Sequence, residues 1–415
     1  MSQTEQQVRT EIRAWLELNW DPQLPLREWR ERLAESGWAC PAWPRQHFGR
    51  GLPPDLALAA NEELRRAGAV GPAIGIGMAL AAPTLLEHAN ADLNDRLLRP
   101  IITGQHTWCQ LFSEPGSGSD LAGLSTHATR DGDEWVVNGQ KVWTTGAHHA
   151  AYGLLLVRTD PDVPKHRGIS YFAFPMQQDS VEVRPLRQMN RRSSFNEVFL
   201  SDARVPHANL VGELHRGWPV ALTTLAHERG LAGAIFGALP PTTDGRTAQE
   251  ALAEARDYLK TYEWYPQRAG RADLVPSAAR DAARNDEPVL RQRIAHLHTL
   301  ESVARWSAQR ARAAQRQGRP PGPEGSIAKL CGSEIARHAN RAHTQIAGAA
   351  GMLNGQDGPG HDGAIAEVLV STPAQSIAGG TDEIQHNIIA ERVLGLPKEP
   401  PIDANVAYRH RRANE

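Results

Sequence analysis

Ala374-Gln375-Ser376-Ile377-Ala378-Gly379-Gly380-Thr381-Asp382-Glu383-Ile384-Gln385, running on into His386-Asn387-Ile388-Ile389-Ala390-Glu391-Arg392, decides how the rest of the chain is read. Two adjacent glycines end a small apolar stretch. Thr381 has the side chain to cap a helix, and Asp382 and Glu383 suit the positive end of its dipole. Glycines ahead of a helix N-terminus also let backbone N–H groups approach a ligand closely. Taken alone, the run is a turn and a well-capped helix. Any further meaning depends on the segments that accompany it.

The chain around it has 415 residues, enough to bury a large core and to form two or three domains. Its hydrophobic content of 40% and charged content of 22% are those of a globular protein. A net charge of −2 excludes the basic face of a general nucleic-acid binder. No apolar run approaches the roughly 20 residues that span a bilayer. The polar start Met1-Ser2-Gln3-Thr4-Glu5-Gln6-Gln7 lacks the basic and apolar regions of a signal peptide, so a cytoplasmic location is expected. Cys40, Cys109 and Cys331 are far apart and show no Cys-x-x-Cys spacing, which reads as free thiols. Seventeen histidines include no His-Glu-x-x-His, and the pair His148-His149 reads as part of a loop, so no metal is expected.

Helical periodicity marks the first hundred residues, with Val8, Ile12, Trp15, Leu16, Trp29 and Leu33 at spacings of three and four. Further helices are expected after the Pro/Gly stretch that ends at Pro53-Pro54, and over Leu85–Ile102. Near Trp108 the period changes to two. Glu134-Trp135-Val136-Val137 stands between Asp131-Gly132 and Asn138-Gly139, both read as hairpin turns. Strand-like runs follow at 153–158, 169–175, 181–185 and 196–200, and helical patterns resume at Trp218. The Pro/Gly segment 318–325 separates two long helices. The expected order is a helical domain (1–106), a β domain (107–212) and a helical C-terminal domain (213–415).

Two segments of the β region suit a phosphate-bearing aromatic ligand. In Leu111-Phe112-Ser113-Glu114-Pro115-Gly116-Ser117-Gly118-Ser119-Asp120, glycines interleaved with hydroxyls leave backbone N–H groups and short donors exposed. A plain tight turn is the competing reading, and without a βαβ unit the segment is no Rossmann fingerprint. In Asn138-Gly139-Gln140-Lys141-Val142-Trp143-Thr144-Thr145-Gly146, a Trp offers an apolar wall and a neighbouring Thr a hydroxyl for a ring nitrogen. Trp143 as core filler is the alternative there.

Together with Thr344-Gln345-Ile346-Ala347-Gly348-Ala349-Ala350-Gly351 and the Gly-Gly-Thr run, these segments resemble, in order and over essentially the whole chain, the acyl-CoA dehydrogenase family. The resemblance implies an α+β multidomain fold: an N-terminal helical domain, a central β-barrel-like domain and a C-terminal four-helix bundle. It implies FAD held along Phe112, Ser113, Gly118 and Ser119, with Trp143, Thr144 and Thr145 at the flavin ring. Gln345 and Gly348 would reach the FAD of a neighbouring subunit, and Thr381 and Glu383 would close the site. It also implies an acyl-CoA substrate, an electron-transfer flavoprotein as electron acceptor, and a homo-dimer or tetramer or a hetero-oligomer with a related chain.

The resemblance is incomplete at the catalytic base. Many members carry a glutamate just before the Gly-Thr, and here that position is Gly379, which can offer only its backbone N–H to a thioester carbonyl. In the isovaleryl-type branch the glutamate instead precedes an Arg on the first helix after the β domain. Glu228-Arg229 stands at the matching place, in the small, apolar stretch Leu225–Ala234, so Glu228 is the expected base and Arg229 its support. An ordinary solvated Glu-Arg pair is the alternative. The family's Arg-x-Phe-Gly loop is also missing from 279–292, where Arg280 and Arg284 are the nearest substitutes. That region looks more like bacterial members acting on bulky or branched acyl groups, sterol side chains included. A flavin monooxygenase or oxidase, and a non-catalytic subunit of a heteromeric dehydrogenase, stay open beside the dehydrogenase reading.

Overall fold

The computed structural model describes residues 4–228, 235, 239–241, 243–317, 322, 324–353, 363–400 and 405–410. Arg229 and most of the 318–325 linker lie outside them. The chain divides into two compact units. One comprises Met1–Leu186, Ser193–Thr261 and Ile402–Glu415, and the other comprises Arg187–Arg192 and Tyr262–Pro401.

In the first unit, α1 (Glu5–Asn19) opens on a capping box: the Thr4 hydroxyl accepts from the Gln7 N–H while the Gln7 side chain accepts from the Thr4 N–H. Its buried face, Val8, Ile12 and Leu16, packs with Trp29 and Leu33 of α2 (Leu26–Glu35) and Ala57, Ala60 and Leu64 of α3 (Pro54–Arg66). The helix expected over Leu85–Ile102 is instead two, α4 (Ala82–His88) and α5 (Ala91–Thr103). Asn90 breaks it, because its side chain accepts from the Leu93 N–H and caps the second piece. A single π-turn, Gly77–Ala81, leads into α4.

The strands form one seven-stranded sheet: β1 (Trp108–Leu111), β2 (His127–Asp131), β3 (Glu134–Thr145), β4 (Tyr152–Arg158), β5 (Ile169–Pro175), β6 (Val181–Leu186) and β7 (Phe195–Pro206). β1 pairs with β4 in parallel, and β5 is antiparallel to β4. The meander β2-β3-β7-β6 is antiparallel throughout. Both faces of the β4–β5 pair are covered. Leu154, Leu156, Tyr171 and Ala173 face α4, α5 and α6 (Gly217–Glu228), while Leu155, Val157, Phe172 and Phe174 face Trp135, Val198 and Val205. Burial on both sides explains why these strands read as continuous apolar runs rather than alternating ones.

Asp131-Gly132 turns the chain between β2 and β3 as expected, but Asn138-Gly139 does not turn it. β3 continues through that pair with a register shift, so Gly139 marks a bulge. A Cβ there would lie 2.4 Å from the Thr126 hydroxyl and 2.7 Å from the Thr126 Cα. The glycine is a close-approach residue, and local sequence does not distinguish that from a hairpin glycine. Helix α7 (Arg246–Lys260) completes this unit, its Ala248 and Ala251 buried against the α1–α3 core.

The second unit is helical: α8 (Tyr265–Arg268), α9 (Val275–Asp281), α10 (Pro288–Arg316), α11 (Glu324–Ala347), α12 (Ala364–Ser371), α13 (Pro373–Ile377) and α14 (Asp382–Arg392). Val275, Ala279, Leu290, Leu297, Ala339, Ala342 and Ile346 form its core. All three cysteines are free. No helix among the described residues is long and apolar enough to cross a membrane, and no described cluster could hold a metal ion.

Candidate active site

Phe112 and Ser113 leave the end of β1, and Glu114-Pro115-Gly116-Ser117 then forms a tight turn closed by reciprocal backbone hydrogen bonds of 3.0 Å between Glu114 and Ser117. The turn reading and the exposed-loop reading both hold, since Gly116, Gly118 and Ser119 are exposed beyond it. What fixes the turn to the sheet is an ion pair that nothing in the motif announces. Lys141, on β3, donates to Glu114 Oε1 at 2.8 Å and to the Phe112 carbonyl at 3.1 Å. Both side chains are buried, at 0% and 3% exposure. Glu114 also accepts from the Ser125 N–H (2.6 Å), the Ser125 hydroxyl (2.7 Å) and the Thr126 N–H (3.0 Å). Burial pushes the Glu114 carboxyl up, but the charge and hydrogen bond of Lys141 and the Ser125 N–H outweigh it and bring it down to about 2. Burial likewise pulls Lys141 down against the pull of Glu114. With four donors on the carboxylate, the pair stands ionised.

The same contact registers the two motifs against each other, because the Val142 N–H donates to the Ser113 carbonyl at 2.9 Å. One residue later β3 bulges again, between Lys141 and Thr144. Trp143 adopts φ +62°, a left-handed conformation that a bulky residue rarely takes. Its indole projects from the sheet 55% exposed, edge-on to Phe195 with ring centroids 5.7 Å apart. Thr144 points the other way and is buried, and its carbonyl accepts from the Asn196 amide at 2.9 Å. Thr145 is half-buried. Phe112 is buried, edge-on to Tyr171 at 5.9 Å.

On α6, Val220, Ala221 and Thr224 are buried toward the sheet. Thr224 shares hydrogen bonds of 2.9 Å with both the Tyr171 hydroxyl and the Thr84 hydroxyl. Glu228 lies one turn further along the same side. It is half-buried, and Gln110 of β1 donates its amide to Glu228 Oε2 at 3.1 Å. The first unit therefore brings Glu228 to the strand that feeds the Phe112–Ser119 loop. Gln110 was invisible in the sequence, where it is one polar residue in the strand Trp108-Cys109-Gln110-Leu111.

Within the second unit, Gly379 and Gly380 both take left-handed φ angles, +69° and +82°. The Gln385 amide donates to both of their carbonyls, at 3.2 and 3.1 Å. Thr381 caps α14 as expected, its hydroxyl accepting from the Ile384 N–H at 3.2 Å, and Glu383 is exposed in the first turn. Asp382 is the buried anchor: Lys329 reaches one oxygen at 2.7 Å and Arg337 the other at 2.6 Å, both from α11. Burial raises its carboxyl, and hydrogen bonds from Lys329, Ser333 and Arg337 outweigh that and hold it well below the usual range. Gln345 lies in a cleft of about 650 Å³ lined also by Glu287, Arg293, Arg341 and Thr344. Gly348 is exposed in the turn that follows α11. In 279–292, where the expected Arg-x-Phe-Gly loop is missing, Arg284 donates to the carbonyls of Gln345 and Ile346 and pairs with Glu287. Arg280 is exposed.

A flavin fits the first-unit site on this structure's own terms. An indole is held out of the sheet at a backbone cost, half-exposed hydroxyls stand at Ser113 and Thr145, and a Cβ at Gly116 or Gly118 would meet nothing within 4 Å. An aromatic ligand with polar ring atoms would cover the first and use the rest.

Comparison with known proteins agrees. Sequence models of the N-terminal, middle and C-terminal domains of acyl-CoA dehydrogenases match residues 2–105, 109–203 and 215–394. Acyl-CoA dehydrogenase IpdE1 of Mycobacterium tuberculosis is 35% identical over 382 residues, covering 90% of this chain and 88% of its own. Acyl-CoA dehydrogenase FadE34 of the same organism is 37% identical over 375 residues, 90% of this chain, which spans only 47% of FadE34's length. Among solved structures, the ChsE4-ChsE5 complex from Mycobacterium tuberculosis has a chain similar at TM-score 0.64 and 28% identity, covering 96% of this chain and all of that one. The Tcur3481-Tcur3483 steroid ACAD is similar at TM-score 0.64 and 26% identity, covering 95% and 98%. With helices before and after the sheet in sequence and three domain matches in the same order, the chain belongs to the acyl-CoA dehydrogenase family of oxidoreductases, with FAD as its cofactor.

Proposed function

We propose that this chain carries out the α,β-dehydrogenation of an acyl-CoA thioester, with Glu228 as the base. The observation that carries the reading is the Glu228 carboxylate, half-buried at the end of α6 and held by the Gln110 amide beside the strand that delivers the Phe112–Ser119 loop. The α C–H bond breaks and its proton passes to Glu228, the α,β double bond forms, and the β-hydrogen leaves as hydride. Bound FAD supplies the hydride acceptor. Trp143 walls the ring system, with Phe112, Ser113, Gly118, Ser119 and Thr145 along the rest of the cofactor; the buried Thr144 side chain points away from the indole and lies outside this set. The backbone N–H of Gly379 supplies an oxyanion donor to the thioester carbonyl, and Arg229 supports Glu228. Gln345, Gly348, Thr381 and Glu383 are the proposed contacts of the second unit.

The acyl group is of the bulky or branched class, a reading supported by the likeness to a solved steroid ACAD. An electron-transfer flavoprotein takes the electrons, and the enzyme works as an oligomer in the cytoplasm. The test is anaerobic incubation with butanoyl-, isobutyryl-, octanoyl- and cyclohexylpropanoyl-CoA. Bleaching of the flavin together with a product lighter by two hydrogens supports the reading, and a flavin that no thioester reduces overturns it.

One observation favours a second reading. Position 379 holds no carboxylate, and a solved complex of two different chains, ChsE4-ChsE5, is among the structural relatives. On that reading the chain completes a heteromeric dehydrogenase whose other subunit holds the base. Purification without flavin, together with a related chain that restores it, would favour this over the first.

A further inference from the structure

We infer that Gln110 is a positioning residue for the proton-abstracting carboxylate, an inference that rests on the reading of Glu228 as base. Gln110 sits on β1 opposite Leu154 of β4, with Cys109 and Leu111 fully buried on either side. Gln110 itself is half-buried, and Phe112, two residues on, belongs to the apolar core that α4 and α6 share with the sheet. To the extent that an amide is withdrawn from water, its hydrogen bonds must be made within the protein. Its amide reaches Glu228 Oε2 at 3.1 Å, across 118 residues of sequence.

The chemistry of the pair assigns the direction. An ionised carboxylate only accepts, so the amide must present its N–H. That bond steadies the ionised form and restricts the carboxylate's rotamers. An amide does this without exchanging protons itself, whereas a Lys or His at position 110 would compete for the proton and an apolar residue would remove this bond. The hydroxyl chain Thr84–Thr224–Tyr171, on the same side of α6 one turn earlier, ties the helix to the sheet and so keeps Gln110 and Glu228 in register.

The test is stopped-flow anaerobic bleaching of the holoenzyme by the most active thioester of the same four-member panel, in wild type, Gln110→Met, Glu228→Gln and the double variant. Loss of a hydrogen bond to a charged group predicts that Gln110→Met lowers the limiting rate roughly 10- to 100-fold. The half-saturating concentration should change little, and a deuterium effect at the α-carbon should grow. The double variant should be no slower than Glu228→Gln, because a residue acting through the carboxylate has nothing left to act on. Gln110→Leu, which has no donor and does not titrate, must fall in the same way, and it decides the matter if the Met variant loses its flavin. A limiting rate within twofold of wild type in these variants, or an equal further loss on top of Glu228→Gln, overturns the inference and leaves the base standing. A Glu228→Gln variant as fast as wild type overturns the base itself.

Discussion

Lys141 Nζ and Glu114 Oε1 meet at 2.8 Å with almost no exposure of either side chain, and that single contact registers the Phe112–Ser119 loop against the strand that carries Trp143. A salt bridge taken wholly out of water is no efficient source of stability, since desolvation offsets most of the attraction. Its value here is geometric. Lys141 also binds the Phe112 carbonyl, so the two segments of the proposed flavin site are fixed by one ammonium group.

Removing one partner strands the other. Lys141→Met leaves Glu114 with only its Ser125 and Thr126 donors, and unfolding stability should fall by about 3–5 kcal/mol. The double variant Lys141→Met/Glu114→Gln should recover a large part of that loss. Chemical denaturation of Lys141→Met, Glu114→Gln and the double variant checks both statements, and additive losses would contradict them.

Acid should weaken the fold through the same carboxylates. Glu114 lies at about 2 in the folded chain against an ordinary 4.5, and Asp382 is held low as well. As pH falls, the unfolded chain therefore takes up these protons first. Their contribution is complete above the ordinary carboxylate range and is lost as the pH drops through it toward the folded values. Melting curves between about pH 6 and pH 3 should fall steadily for wild type and less steeply for Glu114→Gln. Equal slopes would contradict this.

Trp143 combines backbone strain with an exposed ring, and the two can be separated. Trp143→Gly should relieve the left-handed strain and raise the stability of the flavin-stripped protein by about 1 kcal/mol. It should also lose flavin during gel filtration faster than wild type. Trp143→Phe keeps the strain and should keep more of the flavin. A Gly variant that is both less stable and equally well loaded would show that the indole is packing rather than a cofactor wall.

In the second unit, Thr381→Ala removes the cap of α14 and should cost about 1 kcal/mol. Gly379→Ala should cost a comparable amount, because φ +69° disfavours any Cβ. Thermal denaturation with intact flavin content reads both.

What was legible in the sequence was local. The strand-like runs gave β4, β5 and β6 to within a residue or so, β4 and β5 as continuous apolar stretches because both of their faces are covered. The Thr381 cap and the Glu114–Ser117 turn are written in adjacent residues. Pairings over distance were not legible: Lys141 meets Glu114 across 27 positions and Gln110 meets Glu228 across 118, with no spacing rule to mark either. Asn138-Gly139 misleads for a related reason. The same dipeptide serves a hairpin or a bulge, and the Thr126 backbone that requires the glycine comes from elsewhere in the chain. Asn90 shows the converse, a short polar residue inside a helical pattern whose capping role is clear only once the helix has broken.

The most direct measurement is the rate of anaerobic flavin bleaching by an acyl-CoA in Glu228→Gln against wild type, with flavin content and thioester binding checked in both. The account predicts a loss of about three orders of magnitude or more in the Gln variant, with the flavin still bound. Bleaching at the wild-type rate would contradict it and would place the base outside this helix.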